Sequence, residues 1–426
     1  MNNDNQQSVK QKASNIYEVN VRQYTSEGTF GAFAQHLPRL KDMGVDTLWF
    51  MPVTPISLQR RLGSLGSYYA CSSYTAINPE FGTMDDFLHL VQTIHNLGMK
   101  VIIDWVANHT GRDHHWSVEH PEWYVRDKDG NFLEQHNWWD VIHLDYTRQD
   151  MRNEMIKSMR FWVDQCGIDG FRCDMAHLVP LDFWLDAKEQ CEESRPLFWL
   201  AECDHVEYHA VFDVTYAWEW MHVSDKVVKG YASIAQMKDV LYKYSQYPAG
   251  ARKLYFTSNH DENTWNGTEY EKYLGAAKAF AAFTLTWPGT PLIYSGQELP
   301  NVKRLKFFDK DVIDWKPTVV LHNFYKSFLA LRNTHTCLQG DVKTLPVILS
   351  TQHDDKVFAY LLQDETSVVL VMLNFSSVDK LRFTINNAAL QGGFTNVVSG
   401  LTYNFKGAEN FEMQAWEFMV YASVPE

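Results

Sequence analysis

No run of about 18 consecutive apolar residues occurs in the 426-residue chain, so a membrane-spanning helix is not expected. Positive charge is scarce. The 38 Lys and Arg stand against 52 Asp and Glu, leaving a formal net charge of −14. That balance argues against a nucleic-acid partner, which needs a basic surface to displace counterions. Cysteine is sparse too: Cys71, Cys166, Cys173, Cys191, Cys203 and Cys337 form no CxxC pair. A chain of this size needs no disulfide staple, and Cys173 and Cys203 fall on expected strands, so free buried thiols and a reducing compartment are expected. The N-terminal Met1-Asn-Asn-Asp-Asn-Gln-Gln has no apolar stretch of the signal-peptide kind. The chain as it stands therefore reads as cytoplasmic, or as extracellular or periplasmic had a signal peptide been removed. No Gly-rich phosphate loop follows the first expected strand, which weighs against an open dinucleotide-binding sheet. There is no internal repeat and no low-complexity tract.

Aromatic side chains are plentiful, at 14% with 15 Trp. Large rings serve as core, but they also suit the wall of a cleft for sugars, whose axial C–H faces are apolar.

Short β-rich apolar segments alternate with helical ones over the first 335 or so residues. The expected strands are Ile16–Val21, Thr47–Met51, Lys100–Val106, Ile168–Cys173, Phe198–Ala201, Val211–Thr215, Leu254–Thr257 and Pro291–Tyr294. Phe30, Phe33, Leu37 and Leu40 recur at helical spacing, with Pro38 marking a break or a new start. Phe87, Leu90, Val91, Ile94 and Leu97 make a clean stripe ending at Gly98, and Met155, Met159 and Trp162 mark a helix before the fourth strand. Eight strand–helix repeats imply a parallel sheet closed into a (β/α)8 barrel, over residues 1–109 and 150–340. Residues 110–149 form too long a connection after the third strand and read as an inserted lobe. It carries Trp116, Trp123, Trp138 and Trp139, expected to divide between its own core and the cleft. Beyond residue 340, Val357–Leu362, Ser367–Asn374, Leu381–Ile385 and Glu417–Tyr421 read as strands, so 341–426 is expected to be an all-β sandwich domain.

A barrel of this kind carries its active site at the C-terminal ends of the strands. The third strand ends in Asp104-Trp-Val-Ala-Asn108-His109, the fourth in Gly170-Phe-Arg172-Cys-Asp174, the fifth in Ala201-Glu202 and the seventh in Asn259-His260-Asp261. Acetal hydrolysis requires this inventory. One carboxylate attacks the anomeric carbon, a carboxylic acid protonates the departing oxygen, and further anionic groups favour the oxocarbenium transition state. Arg172 beside Asp174 is expected to hold that carboxyl below its usual range.

These segments resemble the conserved-region motifs of the α-amylase family of glycoside hydrolases. Gly289-Thr-Pro-Leu-Ile-Tyr-Ser-Gly296-Gln-Glu298 is similar to the family's eighth-strand segment. Gly66-Ser-Tyr-Tyr69 through Tyr74-Thr-Ala-Ile-Asn-Pro-Glu-Phe-Gly82 resembles its loop after the second strand. The resemblance runs in order through residues 15 to 335. It implies Asp174 as nucleophile, Glu202 as general acid/base and Asp261 as the carboxylate supporting the distorted sugar. It implies substrate contacts at His109, Arg172 and His260, a stacking role for Tyr69, and a supporting role for Asp104. The activity implied is hydrolysis of α-1,4-glucosidic bonds in starch, maltodextrin or malto-oligosaccharides with retention. α-Glucosidase and transglycosylase activities share the same machinery. The sequence departs from the family's pattern at Ala201, where Gly is frequent, at Ser73, where Asp is frequent, and at His177-Leu178, where many amylases have Lys-His.

The chemistry requires no cofactor. The resemblance places a calcium ligand at Asn108, so a structural calcium remains open, but Asp127-Lys-Asp129-Gly130-Asn131 reads better as a solvated acidic turn than as a calcium loop. His114, His115 and His120 match no zinc spacing. An α-glucan saccharide is the expected partner, and oligomeric state is left open. A different class, a glucan-binding scaffold without catalysis, is opposed by the presence of all three carboxylates.

Overall fold

The computed structural model describes residues 14–423 except 135 and 366. Strands β1 (Ile16–Val19), β2 (Thr47–Phe50) and β3 (Lys100–Trp105) lead into a small two-stranded sheet, β4 (His109–Gly111) and β5 (Val141–His143). Then come β6 (Gly170–Cys173), β7 (Phe198–Ala201), β8 (Val214–Tyr216), β9 (Arg252–Tyr255) and β10 (Thr290–Tyr294). Eight of these ten close a parallel barrel in the order β1-β10-β9-β8-β7-β6-β3-β2. Each expected barrel strand is present, Phe198–Ala201 with the same bounds and the others with shifted ends. Val211 caps the 3-10 helix Val206–Ala210 instead of starting β8, and residues beyond Tyr255 leave the ladder to build the rim. The strands are buried almost throughout, as a parallel sheet covered by helices requires.

The helices stop where local chemistry dictates. Pro38 ends one helix and opens the next, giving Phe30–Ala34 and Leu37–Met43. Helix Met84–Asn96 begins in a Thr83/Asp86 capping box and buries Phe87, Leu90, Val91 and Ile94. Gly170 opens β6 because its backbone abuts β7: a Cβ there would lie 2.0 Å from the Phe198 carbonyl oxygen.

The lobe stands on the C-terminal end of β3. β4 and β5 pair antiparallel, with His109 opposite His143. Trp116 and Trp123 are buried and meet edge to face at 5.1 Å, while Trp138 turns to the cleft and Trp139 is exposed. Tyr74 fastens the lobe's root, its hydroxyl donating to the carbonyls of Val106 and His109 at 2.8 and 3.2 Å.

The C-terminal module is antiparallel, comprising β11 (Val347–Leu349), β12 (Val357–Gln363), β13 (Val368–Asn374), β14 (Leu381–Asn396), β15 (Thr402–Met413) and β16 (Phe418–Ser423). All six join one sheet in the order β11-β12-β13-β16-β14-β15. Alternation divides its side chains. Phe358, Tyr360, Val369 and Val371 join the barrel's core, whereas Val357, Ala359, Phe383, Phe394 and Phe405 form a second core of the module's own. β15 escapes the sequence pattern because most of its residues are exposed or half-buried and Gly407 interrupts it. β14 runs past Ile385 through an irregularity between Asn386 and Gln391.

Candidate active site

Asp174 follows β6, Glu202 follows β7, and Asp261 stands on the turn after β9. The three line one cavity of about 330 Å³ together with Tyr69, His109 and Trp138. Arg172, fully buried on β6, lies at its floor. Its Nη1 donates to Asp174 Oδ1 at 3.0 Å and to Asp104 Oδ1 at 3.0 Å, and its Nη2 lies 3.0 Å from Glu202 Oε2. Nε donates to the Tyr216 hydroxyl at 3.2 Å. Met175 adopts φ 41°, a left-handed conformation uncommon for a side chain with a Cβ, and its backbone N–H donates to Glu202 Oε2 at 2.9 Å.

One guanidinium therefore faces three carboxylates, and this reverses the sequence expectation for Asp174. Burial and the neighbouring Glu202 push its carboxyl well above the usual range, against the pull of Arg172. Burial likewise pushes Asp104 up to about 6 despite Arg172. The motif Arg172-Cys-Asp174 suggests a private ion pair; the fold makes Arg172 a shared cation.

Asp261 has a different environment. Burial raises its carboxyl, but His260 at 3.3 Å and the indole N–H of Trp265, donating at 3.3 Å, hold it below the usual range. Burial opposes charge on His260, yet Asp261 and Glu18 outweigh it and raise that imidazole well above its ordinary value. Glu18, at the end of β1, accepts from His260 Nδ1 at 2.5 Å. The Tyr69 hydroxyl lies 3.0 Å from Asp104 Oδ2 and 2.9 Å from His260 Nε2, and its ring stacks on His260 with centroids 5.6 Å apart. Trp49 Nε1 adds a 3.2 Å bond to Asp104.

All eight residues expected at the site thus converge: Tyr69, Asp104, His109, Arg172, Asp174, Glu202, His260 and Asp261. Sequence reasoning missed Glu18, Trp49, Tyr216 and Trp265. Glu18 alone left a signal, a carboxylate within the apolar first strand.

Asn108 has other work. Its Nδ2 lies 3.1 Å from His109 Nδ1 and 3.2 Å from His143 Nδ1, so one amide supplies N–H to two imidazoles and leaves His109 with its own N–H on Nε2. Burial and the nearby His143 lower His109 to about 3, which keeps it neutral. These ring nitrogens suit calcium poorly, since it takes oxygen ligands. Asp127 is occupied by the backbone N–H groups of Asp129 and Asn131, and Asp113 by those of Leu58 and Gln59. Among the described residues no three His, Cys, Asp or Glu side chains gather as a metal site. The six cysteines are buried free thiols, and no described helix is long and apolar enough to cross a membrane.

A closed (β/α)8 barrel with three carboxylates delivered by separate strand ends defines a class of carbohydrate-active protein, and comparison with known proteins agrees. The family model described as alpha amylase, catalytic domain, matches residues 2–209. An alpha-amylase, MalA, of Haloarcula japonica is 28% identical over 383 residues, covering 85% of this chain; the chain spans 55% of that relative's length. Among solved structures, a noncanonic maltogenic alpha-amylase from Thermotoga neapolitana superposes with a TM-score of 0.86 at 27% identity, covering 97% of this chain and 99% of that one. An alpha-amylase from Lactobacillus plantarum gives 0.87 at 27%, covering 96% and 98%. The chain belongs to the α-amylase family of glycoside hydrolases.

Proposed function

We propose that the protein is a retaining hydrolase of α-1,4-glucosidic bonds in starch, maltodextrin or malto-oligosaccharides, working through a covalent glucosyl-enzyme. The observation that carries this reading is the pair Asp174 and Glu202 held on the two terminal nitrogens of Arg172 inside one cavity. Gripping one guanidinium suits the short separation of a retaining pair, about 5–5.5 Å, better than the wider spacing of an inverting one.

In the first step an Asp174 oxygen bonds to the anomeric carbon as the glycosidic C–O bond breaks, and Glu202 gives its proton to the leaving oxygen. In the second, Glu202 takes a proton from water, whose oxygen bonds to the anomeric carbon and expels the Asp174 carboxylate. Asp261 and the cationic His260 bind the sugar's hydroxyls, the Tyr69 ring supports its apolar face, and neutral His109 donates from Nε2. Asp104 holds the Tyr69 hydroxyl, and Arg172 holds the Asp174 and Glu202 carboxyls in place. No step needs calcium at Asn108.

The test is a timed product profile on soluble starch and maltoheptaose, with product anomers followed by NMR, comparing wild type with Glu202→Gln. Short α-maltosaccharides from wild type alone support the reading. β-Anomers first would reject retention, and no product from either protein would favour a catalytically silent glucan binder.

A further inference from the structure

The chemistry proposed above gives the cleft two sides. Glu202 faces the departing sugar, so the leaving side lies toward β6 and β7, beside Met175 and the stacked rings of His177 and His205, 5.2 Å apart. The glucosyl unit being transferred continues the other way, across Tyr69 and Asp261, toward the arc of strands β2, β1, β10 and β9. A protein that grips the middle of a long chain must leave a gap in that arc for the chain to pass.

Here the arc carries a wall. Phe307 and Phe308 follow β10 with rings 5.1 Å apart, and Trp265, following β9, packs against them at 5.6 and 5.8 Å. Phe307 also stacks beside Tyr69 at 6.1 Å. The loop after β2 is laced to the same segment. The Leu65 N–H donates to the Phe308 carbonyl at 2.9 Å and the Ser64 N–H to Asp309 at 2.9 Å. Gly63 lies so close that a Cβ would come within 2.5 Å of Phe308 Cβ.

The wall is braced from behind. Asn263 accepts from the Leu305 N–H at 2.9 Å, Thr264 donates to the Leu305 carbonyl at 2.8 Å, and a buried Lys272–Glu262 ion pair anchors the turn that presents Trp265. Gln23, beyond β1, donates to the Lys306 carbonyl at 2.6 Å. Loops from β1, β2, β9 and β10 are thus locked together.

We propose that this wall, built on Trp265, Phe307, Phe308 and the 62–65 loop, closes the non-reducing end of the site and makes the protein exo-acting. Resting on the hydrolase reading above, it assigns the substrate class: malto-oligosaccharides with a free non-reducing end, trimmed from that end by short units. A chain whose non-reducing terminus is enlarged meets a braced aromatic surface instead of an exit.

The experiment uses two p-nitrophenyl α-maltoheptaosides, identical except that one carries a 4,6-O-ethylidene block on its non-reducing glucose. The wild-type protein is given each separately and the shortened chains are resolved by chromatography. The free substrate is expected to be trimmed and the blocked one cut at least about tenfold more slowly, with Phe308→Ala bringing the two rates closer. Equal rates in wild type would overturn the exo reading while leaving the hydrolase reading intact. Failure to cut either would overturn the hydrolase reading beneath it. The wild-type ratio decides alone, so nothing hangs on whether the variant folds.

Discussion

Glu18, at the end of β1, receives the Nδ1 hydrogen of His260 across 2.5 Å, and the other ring nitrogen of His260 lies 3.3 Å from Asp261. Two carboxylates thus hold one buried imidazole as a cation, overcoming the burial that opposes its charge. Glu18→Gln removes one of them and must lower the His260 pKa. The variant is expected to fold, to lose about ten- to a hundredfold in kcat/KM, and to show a basic limb displaced to lower pH than wild type. Paired pH–rate profiles check this; superimposable limbs would show that His260 does not depend on Glu18.

Asp174 and Asp104 set opposing pH trends for activity and stability. Burial and Glu202 raise the Asp174 carboxyl well above its ordinary 3.8, and burial raises Asp104 to about 6. A carboxyl whose folded pKa exceeds its unfolded one binds protons more tightly when folded, so its contribution to stability declines as pH rises from about 4 through the folded value. The nucleophile works only as the anion, so kcat/KM should climb over the same window. Along the acid limb of the rate profile, from about pH 4 upward, thermal melts and rates should therefore run in opposite directions. Parallel trends would refute the shared-cation account.

Asp174→Asn removes a carboxylate that the free site holds at a cost. Turnover should fall by at least about a thousandfold. At pH 7.5 the melting temperature should rise by about 2 °C. Calorimetry of the variant beside wild type provides the check, and a lower melting temperature would contradict the electrostatics.

Asn108→Asp exchanges an N–H donor for an acceptor between two imidazoles. His109, held neutral with a pKa of about 3, would gain a reason to protonate, and the direction of its hydrogen bonding into the cavity would no longer be fixed. A loss of about tenfold in kcat/KM is expected, with added calcium giving no recovery. Recovery with calcium would restore Asn108 to the role of ligand.

Gly170→Ala places a methyl 2.0 Å from the Phe198 carbonyl, between two central barrel strands that cannot part. A destabilisation of about 3 kcal/mol or more is expected, read as loss of soluble protein or a sharply lower melt.

The strand ends explain why so much of the site was legible in the sequence. Asp174 and Glu202 directly follow short strands, Asp261 follows a third after a few residues, and a barrel sends all such ends to one face. What the sequence left hidden depends on side chains meeting across the barrel. Glu18 is 242 residues from His260, and Trp49 is 55 from Asp104. The Asp174 shift ran opposite to expectation for the same reason: a local motif displays its own Arg172 but not the carboxylates that Arg172 also serves. β15 was hidden differently, because a half-exposed strand need not alternate cleanly.

The face of β12 and β13 that joins the barrel's core bears on how this molecule can be divided. Phe375 lies flat on Phe280 at 4.0 Å, and Tyr360 shares a hydrogen bond with Thr286 at 2.7 Å, both partners belonging to the barrel helix Ala277–Thr286. Cut away at residue 340, the barrel would display a slab of naked hydrocarbon where this helix now lies sheltered. The C-terminal sheet is therefore no detachable appendage: melting would proceed as a single cooperative event, and any shortened gene ending at the last barrel helix would yield an insoluble product.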